Sequence, residues 1–294
     1  MAAAKTHRSQ IVIPAWLESP AGGSSLQAGE IQARIDGAAA RVRAVRGPSD
    51  DLMLLVVADF TADLSLAESA RQSVAAAVEG LPANAWAGLL RAQDGLKVLL
   101  DPTPDRKAFA DAIQEVPVSG TPGLLETVET AARIADSILS RSGVRVAILY
   151  LSDSNIHSYR EDYTNPVINW SDPHDLSRRF PEGLIKEKIS KLEAALGGLQ
   201  APLFVVHLEY RGDRLNEAYQ AGLLQLAAST GGGGEFCRSR GEIPEAIRKT
   251  LGRIAAHYSI VLEPPERAGR MVQIQLESAA GALNHRTRFL LEER

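Results

Sequence analysis

Two hydrophobic periods divide this chain. Near its start, apolar and polar positions alternate at Ile11 and Ile13, at Ile31, Ala33 and Ile35, and at Val42 and Ala44. Near its end the same alternation returns at Tyr258, Ile260 and Leu262, then at Val272, Ile274 and Leu276, with Arg286–Leu290 a last candidate strand. A period of two sends one side chain to a core and the next to water, so these segments predict half-buried β-strands. Asp36-Gly37 between two of them is a hairpin signal.

The middle reads differently. Leu52–Ala58, Val144–Leu151 and Leu203–Leu208 are almost continuously apolar, which suits strands buried on both faces of a parallel sheet. Helical periods lie between and after them, over Leu66–Glu79, Asp105–Val116, Gly123–Leu139, Gly183–Leu196, Leu215–Ala228 and Ile243–Ala256. Two short strands near Trp86–Arg91 and Leu96–Leu100 meet around Asp94-Gly95, and another spans Glu235–Cys237. This alternation predicts an α/β fold: a doubly wound, mostly parallel sheet with helices on both faces. The expected organisation is an N-terminal β segment (1–50), an α/β domain (51–257) with an insert at 154–181, and a C-terminal β segment (258–294). The last is too short to fold alone, so it is expected to pack with the first as one small β module.

Composition narrows the classes. A net charge of −4 over 294 residues gives no reason to expect nucleic-acid binding. A single cysteine, Cys237, excludes an intramolecular disulfide framework and a Cys-rich zinc site, and is expected to be buried. No apolar run reaches membrane-span length, and Ile11–Trp16 is interrupted by Pro14. The expectation is a cytoplasmic protein, or a secreted one whose leader lies outside this sequence. The six histidines show no metal-ligand spacing, and His207 reads as a hydrogen-bonded core residue. Gly231–Gly234 lacks the lysine of a phosphate loop and reads as a turn. Ser152–Ser158 has no nucleophile-elbow pattern.

Candidate chemistry sits where the buried strands end. Asp59, Thr61 and Asp63 follow the first one at alternate positions. In open α/β sheets ligands bind beyond the carboxyl ends of strands, and oxygen side chains suit a hard cation such as Mg²⁺. The same turn also reads as a helix start capped by Asp63 or Ser65. Asp153 ends the second buried strand in LYLSDS, and Thr121 lies in SGTPG before the long helix.

With these residues the chain resembles the von Willebrand factor A (VWA) family, in particular its bacterial VWFA-related type. The family's metal-ion-dependent adhesion site (MIDAS) has the pattern Asp-x-Ser/Thr-x-Ser, then a distant Thr and a distant Asp. Asp59, Thr61, Thr121 and Asp153 match it, and Asp63 stands where a serine is expected. LQAGEIQARIDGAAARVRAV, LAASTGGGGEF and HYSIVLEPPERAGRMVQIQLES resemble further segments of the family in order. The resemblance implies a Rossmann-like fold and a non-enzymatic protein–protein interaction or scaffolding role. It also implies a Mg²⁺ site, with Mn²⁺ or Ca²⁺ as substitutes, formed by Asp59, Thr61, Asp63, Thr121 and Asp153. Asp63 adds a carboxylate, which predicts weaker attraction for an acidic partner or a site left empty. Two alternatives stay open: a structural subunit of a homo- or hetero-oligomer with a vestigial site, and a Mg²⁺-dependent hydrolase or phosphotransferase.

The insert is far longer than the usual connection of about 2–6 residues. Its Tyr159, Tyr163, Trp170, Arg178 and Arg179 are of types enriched at binding hot spots, and are the predicted partner-binding residues. The same loop also reads as one that folds down and buries its own aromatics.

Overall fold

The computed structural model describes residues 10–18, 26–159, 182–265 and 269–291. Three strands open the chain: β1 (Ile11–Leu17), β2 (Ile31–Ile35) and β3 (Ala38–Arg46). Then β4 (Leu52–Asp59), α1 (Leu64–Glu79), β5 (Ala85–Arg91), β6 (Lys97–Thr103), α2 (Arg106–Gln114) and α3 (Leu124–Ser142) follow. The middle continues with β7 (Arg145–Ser152), α4 (Glu182–Leu196), β8 (Leu203–His207), α5 (Arg214–Ser229), β9 (Gly233–Phe236) and α6 (Ile243–Ala255). Four strands close the chain: β10 (Tyr258–Glu263), β11 (Met271–Ser278), β12 (Leu283–His285) and β13 (Arg288–Leu290).

The middle strands form a sheet of order β6-β5-β4-β7-β8-β9, parallel except for β6. β4 and β7 are central, so both their faces are covered. Leu52, Leu54, Val56 and Ala58 pack with α1, α2 and α6, while Leu55 and Val57 pack with α3, α4 and α5. That is why these strands carry no polar alternation. Asp94 and Gly95 both have positive φ, 57° and 100°, and turn β5 into the antiparallel edge strand β6. The two glycines predicted as part of a turn, Gly233 and Gly234, instead belong to β9. Ahead of them, a Cβ on Gly232 would lie 1.7 Å from the Leu203 carbonyl oxygen, so only glycine permits the chain to enter this edge.

The terminal segments do combine, but not as a small module. They make a seven-stranded antiparallel sheet, β12-β1-β10-β3-β2-β11-β13, one strand more than the α/β sheet. Its edge strands β12 and β13 are separated in sequence only by Arg286 and Thr287, so the sheet curls until its edges meet around its own core of Ile13, Ile35, Ile260, Ile274 and Phe289. The strand predicted over Arg286–Leu290 starts two residues later, at Arg288, because Arg286 turns inward. Among the described residues, no helix is long and apolar enough to cross a membrane.

Buried polar groups dock the two layers. Arg145, at the start of β7, is 1% exposed. Its guanidinium donates to the carbonyls of Pro48, Asp50, Ala255 and His257 at 2.8–3.3 Å, tying β7 to the chain leaving β3 and entering β10. Burial lowers its pKa to about 10, which still leaves it charged at neutral pH. Arg286 donates to the carbonyls of Leu196, Gly197 and Leu199. Gln200 joins the layers a third time, accepting from the Val12 N–H at 2.7 Å and donating to Asp136 at 2.8 Å.

Arg145→Met is expected to cost about 3 kcal/mol, because it removes the guanidinium's bonds to four carbonyls, of which Pro48 and Asp50 keep a donor in Asn84. Arg145→Lys should recover less than half, since an ammonium lacks the planar five-donor fork. Urea denaturation measures both; a loss below about 1 kcal/mol for the methionine variant would show that water satisfies these carbonyls.

Candidate functional site

β4 and β7 run side by side and end together, with Asp59 opposite Ser152 in register. Their carboxyl ends therefore deliver Asp59 and Asp153 to one edge. Each carboxylate is consumed by the backbone of a different connection.

Asp153 is 1% exposed and closes the loop between β4 and α1. Its Oδ1 accepts from the Thr61 N–H at 2.7 Å and the Thr61 hydroxyl at 3.1 Å. Its Oδ2 accepts from the N–H groups of Ala62 and Asp63, both at 3.0 Å. Three successive N–H groups aimed at one carboxylate form an anion nest. Asp59 is fully buried and does the same for α3. It accepts from the N–H groups of Gly123 at 2.9 Å and Leu124 at 3.2 Å, and from the Ser152 hydroxyl at 3.2 Å. Gly123 is required here, because a Cβ would lie 1.9 Å from the Ala92 carbonyl oxygen. Each strand-end carboxylate thus anchors a connection that neighbouring strands cannot reach with backbone bonds.

Asp63 caps α1, the second of the two sequence-based readings of this position. Its Oδ1 accepts from the Ser65 N–H and hydroxyl, both at 2.7 Å, and from the Leu66 N–H at 3.1 Å. The Ser65 hydroxyl bond is the chief cause that lowers its pKa. Thr121 is tied to the β5–β6 turn by its backbone: its N–H donates to Asp94 Oδ1 at 2.9 Å, and its carbonyl accepts from the Asp94 N–H at 3.1 Å.

A carboxylate offers about four lone-pair sites. Asp153 has four donors on it, and Asp59 has three. Direct coordination by Asp153 would break a backbone bond in a buried loop. Among the described residues no group of three or more His, Cys, Asp or Glu is placed to hold a metal ion. Asp153 as arranged does not fit a directly bound cation.

Behind this edge lies a buried hydroxyl chain, of which the sequence reading singled out Tyr159 alone, as a partner-binding residue. The Ser152 and Ser154 hydroxyls meet at 2.6 Å, Ser154 meets Tyr219 at 2.6 Å, and Tyr219 meets Tyr159 at 3.1 Å. Tyr159 also accepts from the Leu125 N–H at 3.3 Å. Tyr159 is 5% exposed and part of the α3–α4–α5 core, so here it is an internal strut and not an exposed anchor of the insert. Its neighbours in that prediction, Tyr163, Trp170, Arg178 and Arg179, lie outside the described residues. His207 is a core residue, with Nε2 2.9 Å from the Ser154 carbonyl oxygen, and Cys237 is buried.

The helices on both faces and the parallel sheet between them form a mixed α/β fold. The structure is similar to von Willebrand factor A domains. A von Willebrand factor type A protein from Catenulispora acidiphila matches with 12% identity and a TM-score of 0.48, over 99% of this chain and 75% of that one. The vWF domain of the type V pilus tip protein Mfa5 from Porphyromonas gingivalis matches with 13% identity and a TM-score of 0.46, over 70% and 95%. Protein BatB from Bacteroides thetaiotaomicron matches with 16% identity and a TM-score of 0.42, over 70% and 98%. No protein-family profile and no curated protein matches the sequence. Similarities of this size carry nothing about function, which rests on the geometry of the edge.

That geometry has a pH signature. Burial, reinforced by the nearby Asp153 charge and opposed by the three donors, raises the Asp59 pKa from 3.8 to about 7. The folded state then holds this proton more tightly than the unfolded chain. Asp59 contributes stability that is present in full below about pH 4 and lost as pH rises through about 7. The loss is of order 4 kcal/mol at most. The stability difference between wild type and Asp59→Asn should therefore shrink in the wild type's disfavour between about pH 4 and about pH 8. Urea denaturation across that range measures it, and a constant difference would place the titration of Asp59 elsewhere.

Proposed function

We propose that this chain is a non-enzymatic protein–protein interaction or scaffolding module. Its carboxyl edge presents the β4–α1 loop as a rigid surface held by internal carboxylates, without need of a resident cation. The observation that carries this reading is the fourfold saturation of Asp153 by Thr61, Ala62 and Asp63. A loop locked in this way costs little entropy to order on binding, which favours a recognition surface. In this reading residues 51–257 form the recognition domain and 1–50 with 258–294 form the sheet that supports it.

A second reading, a Mg²⁺, Mn²⁺ or Ca²⁺ site, has one observation in its favour. The Thr61 hydroxyl gives its proton to Asp153, which leaves its oxygen lone pairs for an ion, and Asp63 uses only Oδ1 in capping. The Thr61 and Thr121 hydroxyls with Asp63 would then be the ligands, and Asp59 and Asp153 would orient them.

Thermal unfolding in the presence of each divalent ion separates the two. A locked edge without a cation predicts a Tm unchanged within about 1 °C at ligand concentrations up to about 10 mM. A rise of several degrees that Thr61→Ala removes would install the metal-bound reading in its place. The interaction role is tested by capture of partners on the immobilised chain with and without EDTA. Capture should survive EDTA and be lost in Ala62→Arg, which alters the exposed tip of the loop. Equal capture by the Ala62→Arg variant would remove this edge from recognition.

A further inference from the structure

The amino edge of the parallel sheet, opposite the carboxylates, has a feature that the interaction reading does not use. The C-terminal halves of α4 and α5 stand off from the outer side of β11 and β13, leaving a cleft of about 670 Å³. Its size and its position between two packed layers are those of small-molecule pockets.

Small side chains on the helices keep it open. Ser190 and Ala194 lie one turn apart on α4, and Ala228 lines the facing side of α5. The opposite wall comes from the strand pairing. Met271 and Leu290 are register partners on the outer face, while their neighbours Val272 and Phe289 point into the sandwich core. Met271 is 59% exposed and lines the cleft, so its side chain is available to an apolar ligand.

The charges around the cleft are not balanced. Arg270 and Arg288 line it and are exposed, and among the described residues neither side chain makes an ion pair or hydrogen bond. The acidic residue of the lining, Glu193, accepts from Gln225 Nε2 at 2.7 Å. The carbonyl end of α4 would repel an anion, but Arg286 already neutralises it through Leu196, Gly197 and Leu199. Arg286 is thus committed to structure, and Arg270 and Arg288 remain as two uncommitted guanidiniums above an apolar wall. Guanidinium groups pair in bidentate fashion with carboxylate and phosphate oxygens.

We propose that this cleft binds a small anionic amphiphile, with a carboxylate or phosphate headgroup met by Arg270 and Arg288 and a short apolar chain lying against Met271, Leu290 and Ala194. Binding would bridge the α/β layer and the antiparallel sheet, and would therefore stabilise their docking.

Calorimetric titration of the full chain with sodium octanoate, octyl phosphate and 1-octanol tests this. At least one of the two anions is expected to bind with Kd of about 1 mM or tighter, with octanol at least about tenfold weaker. Which anion binds better distinguishes carboxylate from phosphate recognition. The double variant Arg270→Ala/Arg288→Ala alters two exposed side chains that have no partner among the described residues, so it should fold with an unchanged circular dichroism spectrum and Tm while losing about tenfold or more in affinity. Absence of binding by either anion, equal binding of octanol, or full affinity in the folded double variant would each overturn the proposal.

Discussion

A helix that starts at the end of a buried strand exposes N–H groups where no strand can accept them and little water can reach. At the carboxyl edge of this sheet, that constraint is met by two aspartates acting crosswise. Asp59 leaves β4 and holds the start of α3, while Asp153 leaves β7 and holds the loop that β4 itself runs into. Neither acts on its own connection. The loops are thus fixed to each other as well as to the sheet, and the positions of α1 and α3 depend on the pairing of β4 with β7. An unpaired buried N–H costs about 1–3 kcal/mol, so the five N–H bonds on these two carboxylates are a substantial part of what orders the edge.

What could be read from the sequence follows from the range of each interaction. The buried strands were legible because burial on both faces leaves an uninterrupted apolar run. The Asp63 cap was legible because a cap acts within three residues. That Asp153 serves the Thr61 loop was not, because the two lie 92 positions apart and no local pattern links an aspartate to a distant N–H. Tyr159 was read as part of an exposed insert because a loop has no period to say which side chains turn inward. Its bond to Tyr219 across 60 positions decides that. The terminal strands other than β12 were recognised one by one, but their number in a single sheet depends on nonlocal pairing. The two consecutive short strands β12 and β13 join opposite edges, which makes the module larger than its parts suggested.

The interface between the layers obeys the same rule as the carboxyl edge with the charges reversed. There the unpaired groups are carbonyls at the ends of helices and strands, and guanidiniums satisfy them. Arg145 serves four carbonyls and Arg286 three. A purely apolar interface would resist separation but tolerate sliding, because dispersion contacts are not directional. Planar guanidiniums on fixed carbonyls leave one orientation in which all donors are used. The antiparallel sheet is therefore held at a set angle to the α/β layer.

That fixed angle explains why a cavity persists between two well-packed layers. Apolar surfaces free to shift would close over Met271 and Leu290, since covering them is favourable by about 25 cal/mol per Å². Closing the cleft would require α4 to move toward β13. The Leu290 N–H is already bonded to the Gly197 carbonyl at 2.9 Å, and Arg286 holds the same carbonyl at 2.7 Å. A Cβ on Gly197 would lie 3.2 Å from the Leu290 Cβ, so the absence of a side chain there is what permits this close hydrogen-bonded approach. The helix pivots on a contact that cannot tighten, and the gap beyond it stays open. The hydrogen bonds that dock the layers and the space left between them are thus consequences of the same geometry.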